Sequence, residues 1–104
     1  MNIRVLRSAR RTIADGIRFY ESQEPGLGAY FLSSIMSDLR SLRIFSGSHQ
    51  KFEGTPFHRM VSKRFPYSIY YRIDGLDTSV FAVLDDRRDP KWTKRTLGAV
   101  GLDP

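Results

Sequence analysis

The sequence has no cysteine, a single tryptophan and only two histidines. Without a thiol, disulfides, thiolate nucleophiles and cysteine-based zinc sites are excluded. That absence fits a reducing compartment. Long apolar runs are missing as well. None approaches the ~18 residues that a membrane span needs, and residues 1–7 hold no apolar stretch of signal-peptide length. The expectation is a soluble, cytoplasmic chain with no membrane contact. His49 and His58 have no carboxylates at metal-ligand spacing, so no metal and no cofactor are expected.

Acidic residues are in short supply. Eleven stand against 17 Lys and Arg, giving a formal charge of +6, and 13 of the cations are arginine. Arginine suits planar, bidentate contact with phosphate or carboxylate. The balance therefore calls for an acidic partner, either nucleic acid or an acidic protein segment. The 104 residues are 40% hydrophobic, enough for one small domain over 1–104 with a modest core.

Breakers divide the chain into a helix-rich first half and a strand-rich second half. Residues 3–7 alternate polar and apolar side chains and read as a first strand. Ser8 is a plausible helix cap. Ala9, Ile13, Ile17 and Tyr20 then form one helical stripe, with Gly16 marking a close backbone approach. Pro25-Gly26 ends that helix. Leu32, Ile35, Met36, Leu39 and Leu42 form a second stripe that Gly47 stops, so an antiparallel helical hairpin is predicted.

Residues 46–56 read as a loop, and after Pro56 the period becomes two. Residues 57–62 are a candidate strand. In residues 67–73, Tyr67, Ile69, Tyr71 and Ile73 share one face, with Ser68, Tyr70 and Arg72 on the other. Asp74-Gly75 turns the chain. Residues 79–84 are apolar on both faces and should form a covered central strand. Asp89 and Pro90 open a short last helix through residue 95, and the tail from about residue 97 to 104 should fray. The order β-α-α-β-β-β-α predicts an α+β, two-layer domain, with the hairpin packed on an antiparallel-rich sheet of about four strands.

Two segments carry most of the chemistry: 63–73, with Arg64, Arg72 and three tyrosines, and 80–90, with Asp85-Asp86-Arg87-Arg88. As plain structure they are paired strands with basic ends. As a site they form a basic, aromatic face on which arginines hold phosphates or carboxylates and rings stack on bases. Trp92 either anchors a partner or packs the last helix on the sheet. His58 beside Arg59 either serves phosphate chemistry or is a strand histidine without catalytic duty. His49 reads as a solvated loop residue. Asp85-Asp86 are expected to neutralise Arg87, Arg88, Lys91 and Lys94. Arg10, Arg11, Arg40 and Arg43 read as solvated helix faces.

Over residues 3–97 the chain resembles the RelE/ParE toxin superfamily, on its ParE-like, plasmid-stabilisation side. The resemblance rests on Tyr20-Glu21, on Pro25-Gly26-Leu27-Gly28 before Phe31-Leu32, and on Arg64-Phe65-Pro66-Tyr67 with Tyr70-Tyr71-Arg72. Val83-Leu84 leading into Arg87-Arg88-Asp89-Pro90 completes it. It implies a small bacterial toxin, neutralised by a cognate antitoxin whose acidic or amphipathic tail wraps it.

ParE-like members of that superfamily poison DNA gyrase, and RelE-like members cleave mRNA on the ribosome. RelE-like toxins use basic residues on the second and third strands and an Arg and a Tyr near the C-terminus. Here the second-strand slots hold His58 and Met60, the third-strand slot holds Ser68, Arg88 matches the arginine, and no tyrosine follows Tyr71. The resemblance therefore favours gyrase inhibition, with Arg64, Arg72, Arg87, Arg88, Lys91 and Trp92 as target-binding residues. The alternative is a metal-independent endoribonuclease using His58, Arg59 and Arg88, with ribosome and mRNA as partners. A third reading is a toxin-derived binding module without activity. Where many ParE-like relatives carry small residues before the double arginine, this chain carries Asp85-Asp86.

Overall fold

A computed structural model describes residues 2–101. The elements run β1 (Asn2–Val5), α1 (Arg7–Gln23), α2 (Leu27–Phe45), β2 (His58–Val61), β3 (Tyr67–Asp74), β4 (Asp77–Asp85) and α3 (Pro90–Val100). The sheet order is β1-β4-β3-β2. β1 pairs parallel with β4, and the other two pairings are antiparallel. This is the predicted α+β arrangement of a helical hairpin on a four-stranded sheet. Among the described residues no helix is long and apolar enough to cross a membrane.

The hairpin closes over one sheet face. Ala9, Ile13 and Tyr20 of α1 and Phe31, Ile35, Leu39 and Leu42 of α2 bury against Tyr67, Ile69, Tyr71, Val80 and Val83. Ile35, Leu39 and Leu42 of the expected α2 stripe are buried as predicted, but its other two members are not. Phe31 is fully buried, whereas Leu32 and Met36 remain exposed. The ring of Phe31 fills the space that a side chain at position 16 would need. A Cβ on Gly16 would lie 2.6 Å from Phe31 Cε2. Buried Asp38 accepts a 2.7 Å hydrogen bond from the Ser62 hydroxyl, which turns a polar residue inward on the same helix.

A second cluster, of Phe57, Tyr70, Phe81, Ala82, Leu84 and Leu97, occupies the opposite face under α3. A bulge makes this face possible. Tyr70 pairs with Ala82 and Tyr71 with Val80, so Phe81 has no partner in register. The extra residue resets the alternation. Val80 and Val83 thus point to one core, and Phe81, Ala82 and Leu84 to the other.

Three local expectations need correction. Ser8 does not cap α1. The helix begins at Arg7, and the Ser8 hydroxyl donates to the Phe81 carbonyl at 2.7 Å. α3 does not end at residue 95. Asp89 caps it at the Lys91 amide, and it continues to Val100 because Leu97 is buried in the second cluster. Residues 97–100 are therefore helical rather than frayed, while 102–104 lie outside the described residues.

Candidate functional site

The chain leaves β4 at Asp85 and turns into α3 at Pro90, and most of the candidate cations gather at this corner. The turn is fixed by Asp85. Its carboxylate accepts from the Arg87 amide at 2.8 Å, from Arg87 Nε at 2.9 Å and from the Arg87 guanidinium at 2.7 Å. These hydrogen bonds hold Asp85 below the ordinary carboxylate range and raise Arg87 correspondingly.

Asp86 faces the other way. Its amide donates to the Pro66 carbonyl, and its carboxylate lies 3.2 Å from Arg59 of β2. Burial works against the Arg59 charge, but Asp86, with a smaller share from Tyr70, more than restores it. The acidic pair thus neutralises Arg87 and Arg59, not the whole basic run that follows. Among the described residues Arg88 forms no ion pair, although its charge helps to lower Asp85. Its guanidinium carbon sits 3.9 Å from the centre of the Trp92 ring, a cation–π contact that holds the side chain and keeps its charge. Trp92 is half-buried against the second cluster, so it both packs α3 and carries the arginine. Lys91 is exposed on the same turn, and exposed Arg64 belongs to the adjacent β2–β3 turn.

Arg72 is not part of this corner. It pairs with Ser79 and lies over Phe81 and Phe57, at 5.7 and 6.0 Å. Six residues of strand separate its level from Asp85, roughly 20 Å. Arg87, Arg88, Lys91 and Trp92 thus follow one another through the β4–α3 corner, Arg64 stands in a separate turn, and Arg72 lies apart.

The three residues of the ribonuclease alternative are also apart. His58 and Arg59 are consecutive on β2 and point to opposite faces. Arg59 bonds Ser68 and Asp86. His58 stacks on Tyr71 with ring centres 5.0 Å apart and donates from Nδ1 to the His49 carbonyl at 2.7 Å. Tyr71 stands four residues along β3 from Tyr67, which pairs with Asp85. That spacing is roughly 13 Å.

His49 is not a solvated loop residue. It is half-buried, and its Nδ1 lies 2.6 Å from the Tyr71 hydroxyl, which also accepts from the Gly47 amide. Burial, and then the nearby His58, lower its pKa.

Beside Arg88 and Trp92, a cleft of about 540 Å³ opens between α1 and α3. Phe19, Thr12 and Asp15 of α1, Val83, Leu84 and Asp85 of β4, and Tyr67 of β3 are among its walls. Tyr67 is buried, and burial pushes its phenol up to about 12. Sequence reasoning missed this cleft. Phe19 lies off the α1 stripe, and nothing in a linear pattern tells that helices distant in sequence flank one strand end. The exposed aromatic at position 19 was the only local signal.

The sequence matches no protein-family model and no curated protein. Its fold, however, has a counterpart among solved structures. A chain from the chromosomal ParDE TA system of P. aeruginosa superposes with a TM-score of 0.72 at 15% identity, covering 80% of this chain and 92% of that one. In fold, the chain is similar to a component of that ParDE system.

Proposed function

We propose that the protein is the toxin of a type II toxin–antitoxin pair, that a cognate antitoxin neutralises it, and that it acts by binding DNA gyrase and stalling its DNA-cleaved state. The similarity in fold to a ParDE component supports the toxin reading. The observation that carries the target is the β4–α3 corner, where Arg88 is held on Trp92 without an ion pair among the described residues and Arg87 and Lys91 flank it in the chain. Such a surface is suited to an acidic protein face or to a phosphate backbone.

The separation of His58 from this corner, and the engagement of Arg59 with Asp86, speak against in-place acid–base cleavage of RNA. That chemistry needs base, cation and acid around one phosphate.

The test is pulse labelling after induction of this chain alone in a bacterium. The proposal expects DNA synthesis to fall first, with a DNA-damage response. Protein synthesis falling first while DNA labelling holds would replace gyrase by the ribosome as target.

A further inference from the structure

The helical hairpin carries arginines outside the β4–α3 corner. α1 holds Arg7, Arg10 and Arg11 near its start, and α2 holds Arg40 and Arg43 near its end. All five are exposed. Taken helix by helix they are solvated faces, but the antiparallel hairpin joins them. Gly28 packs against Ile17 and Glu21, and Phe31 against Gly16. Continued along the two helices, that register sets Arg7 level with Arg40 and Arg10 level with Ser37, with Arg43 one turn further on.

The flanks agree. Arg10 stands seven residues before Ile17, and Arg7 fourteen before Glu21, so both lie on the side of α1 that meets α2. Asp38 and Ser41 turn to the β2 side of α2, where they meet Ser62 and Met60. Arg40 and Arg43 leave by the opposite flank, toward α1. With helix axes about 8–10 Å apart and a rise of about 1.5 Å per residue, the five arginines leave the backbone within a patch of roughly 10 by 10 Å.

No carboxylate of the hairpin answers them. Asp15 pairs with Arg18, Glu21 accepts from the Gly26 and Gly28 amides, Asp38 is buried against Ser62, and Glu24 belongs to the turn at the far end. Asp77 and its strand partner Asp74 point to the other sheet face, because Thr78 bonds Ser46 of α2. None of the five arginines forms an ion pair among the described residues.

The neighbouring side chains select among polyanions. The exposed hydroxyls of Ser33 and Ser37 accompany the arginines along α2, and guanidinium and hydroxyl groups are donors to backbone phosphates. Among the described residues no exposed aromatic ring shares this flank. Phe45 lies on the β2 side with Asp38 and Ser41, and Phe19 and Tyr30 stand toward the hairpin turn. Leu32 and Met36, exposed on α2, also lie on the turn side of Arg40 and Arg43. Single strands need rings on which bases stack, and protein hot spots need an aromatic or apolar anchor in a pocket. A duplex keeps its bases inside and presents one phosphate charge per ~1.7 Å of axis.

We infer that the open end of the helical hairpin binds the phosphate backbone of duplex DNA, without sequence readout, through Arg7, Arg10, Arg11, Arg40 and Arg43. This surface goes beyond the target contact proposed above. α2 ends beside Thr78 at the start of β4, seven residues of strand, roughly 23 Å, from Asp85. DNA binding is measured with gyrase absent, so either reading can fail while the other stands.

The experiment follows the fluorescence anisotropy of a labelled, mixed-sequence duplex of about 20 base pairs as the purified full chain is added at several salt concentrations. Micromolar binding at low salt is expected, weakening with a log–log slope of about −4, from about −0.9 for each phosphate neutralised. The paired variants Arg10→Gln/Arg11→Gln and Arg40→Gln/Arg43→Gln should each flatten the slope by about 2 and bind about tenfold more weakly at low salt. Lys51→Gln/Arg95→Gln, which removes two exposed cations outside the hairpin, should leave the slope unchanged. Circular dichroism checks that each variant is folded. In the parent chain, the Nε–H NMR signals of the five arginines should move as duplex is added, and that of Arg95 should stay. An equal loss in the Lys51→Gln/Arg95→Gln variant would overturn the inference, showing attraction to net charge alone. So would signals of the five arginines that stay in place at saturation. Tighter binding at the same salt to the single strand, to polyglutamate or to phosphatidylserine vesicles would overturn it as well, in favour of a single-stranded, protein or membrane partner.

Discussion

Arg88 rests on Trp92, 3.9 Å from the centre of its ring, while its neighbour Arg87 is clamped through three hydrogen bonds to Asp85. Two consecutive arginines thus have different employment. Arg87 shapes the turn, and Arg88 presents charge.

The difference predicts separable effects. Arg88→Glu should abolish growth arrest and leave the thermal midpoint within a few degrees of the parent, because an exposed cation–π contact such as that of Arg88 on Trp92 is worth only about 0.5–1 kcal/mol. Arg87→Ala should lower both, since it releases Asp85 and the turn. Plating efficiency after induction, read beside thermal melts of the purified variants, checks the pair. Full toxicity in a folded Arg88→Glu variant would remove Arg88 from the target surface.

Gly16 predicts a change of sign. On an exposed helix, Gly→Ala stabilises by about 1 kcal/mol. Here the new methyl meets Phe31 at 2.6 Å, and that ring is locked among Tyr20, Phe65 and Tyr67. Overpacking of this kind costs about 1–3 kcal/mol. Gly16→Ala should therefore lower the urea midpoint. An unchanged or raised midpoint would mean that the hairpin can spread at no cost.

His49 predicts a pH dependence. The Gly47 and His49 amides both donate to the Tyr71 oxygen, which leaves the Tyr71 proton for His49 Nδ1 as the unprotonated nitrogen. The folded-state pKa is depressed, so the neutral ring's contribution is complete above the unfolded value of about 6.5 and is lost as pH falls through the folded one. Between pH 7 and 5 the urea midpoint should drop, and His49→Gln should show a smaller drop. Equal slopes in both proteins would show that the Tyr71–His49 bond is not coupled to folding.

Much of this architecture is legible in the linear pattern, for physical reasons. The α1 stripe, the alternation through Tyr67, Ile69 and Tyr71, and the two-faced apolar run of β4 each reflect a period that burial imposes. What is not legible depends on contacts distant in sequence. The exposure of Leu32 and Met36 follows from where Phe31 meets Gly16. The length of α3 follows from a pocket for Leu97 beneath it. The β4 bulge at Phe81 has no glycine or proline to mark it. At the site, the basic corner could be read from Arg87, Arg88 and Lys91. The division of Asp85 and Asp86 between Arg87 and Arg59 could not, because it depends on β2 lying two strands away from β4.

The central claim is that this corner poisons gyrase. The most direct measurement adds the purified chain to DNA gyrase and a supercoiled plasmid with ATP, then traps cleaved DNA with detergent and protease. The account predicts linear DNA that accumulates with the chain and disappears with Arg88→Glu. Gyrase that supercoils and religates at its normal rate in a molar excess of the folded chain would contradict it.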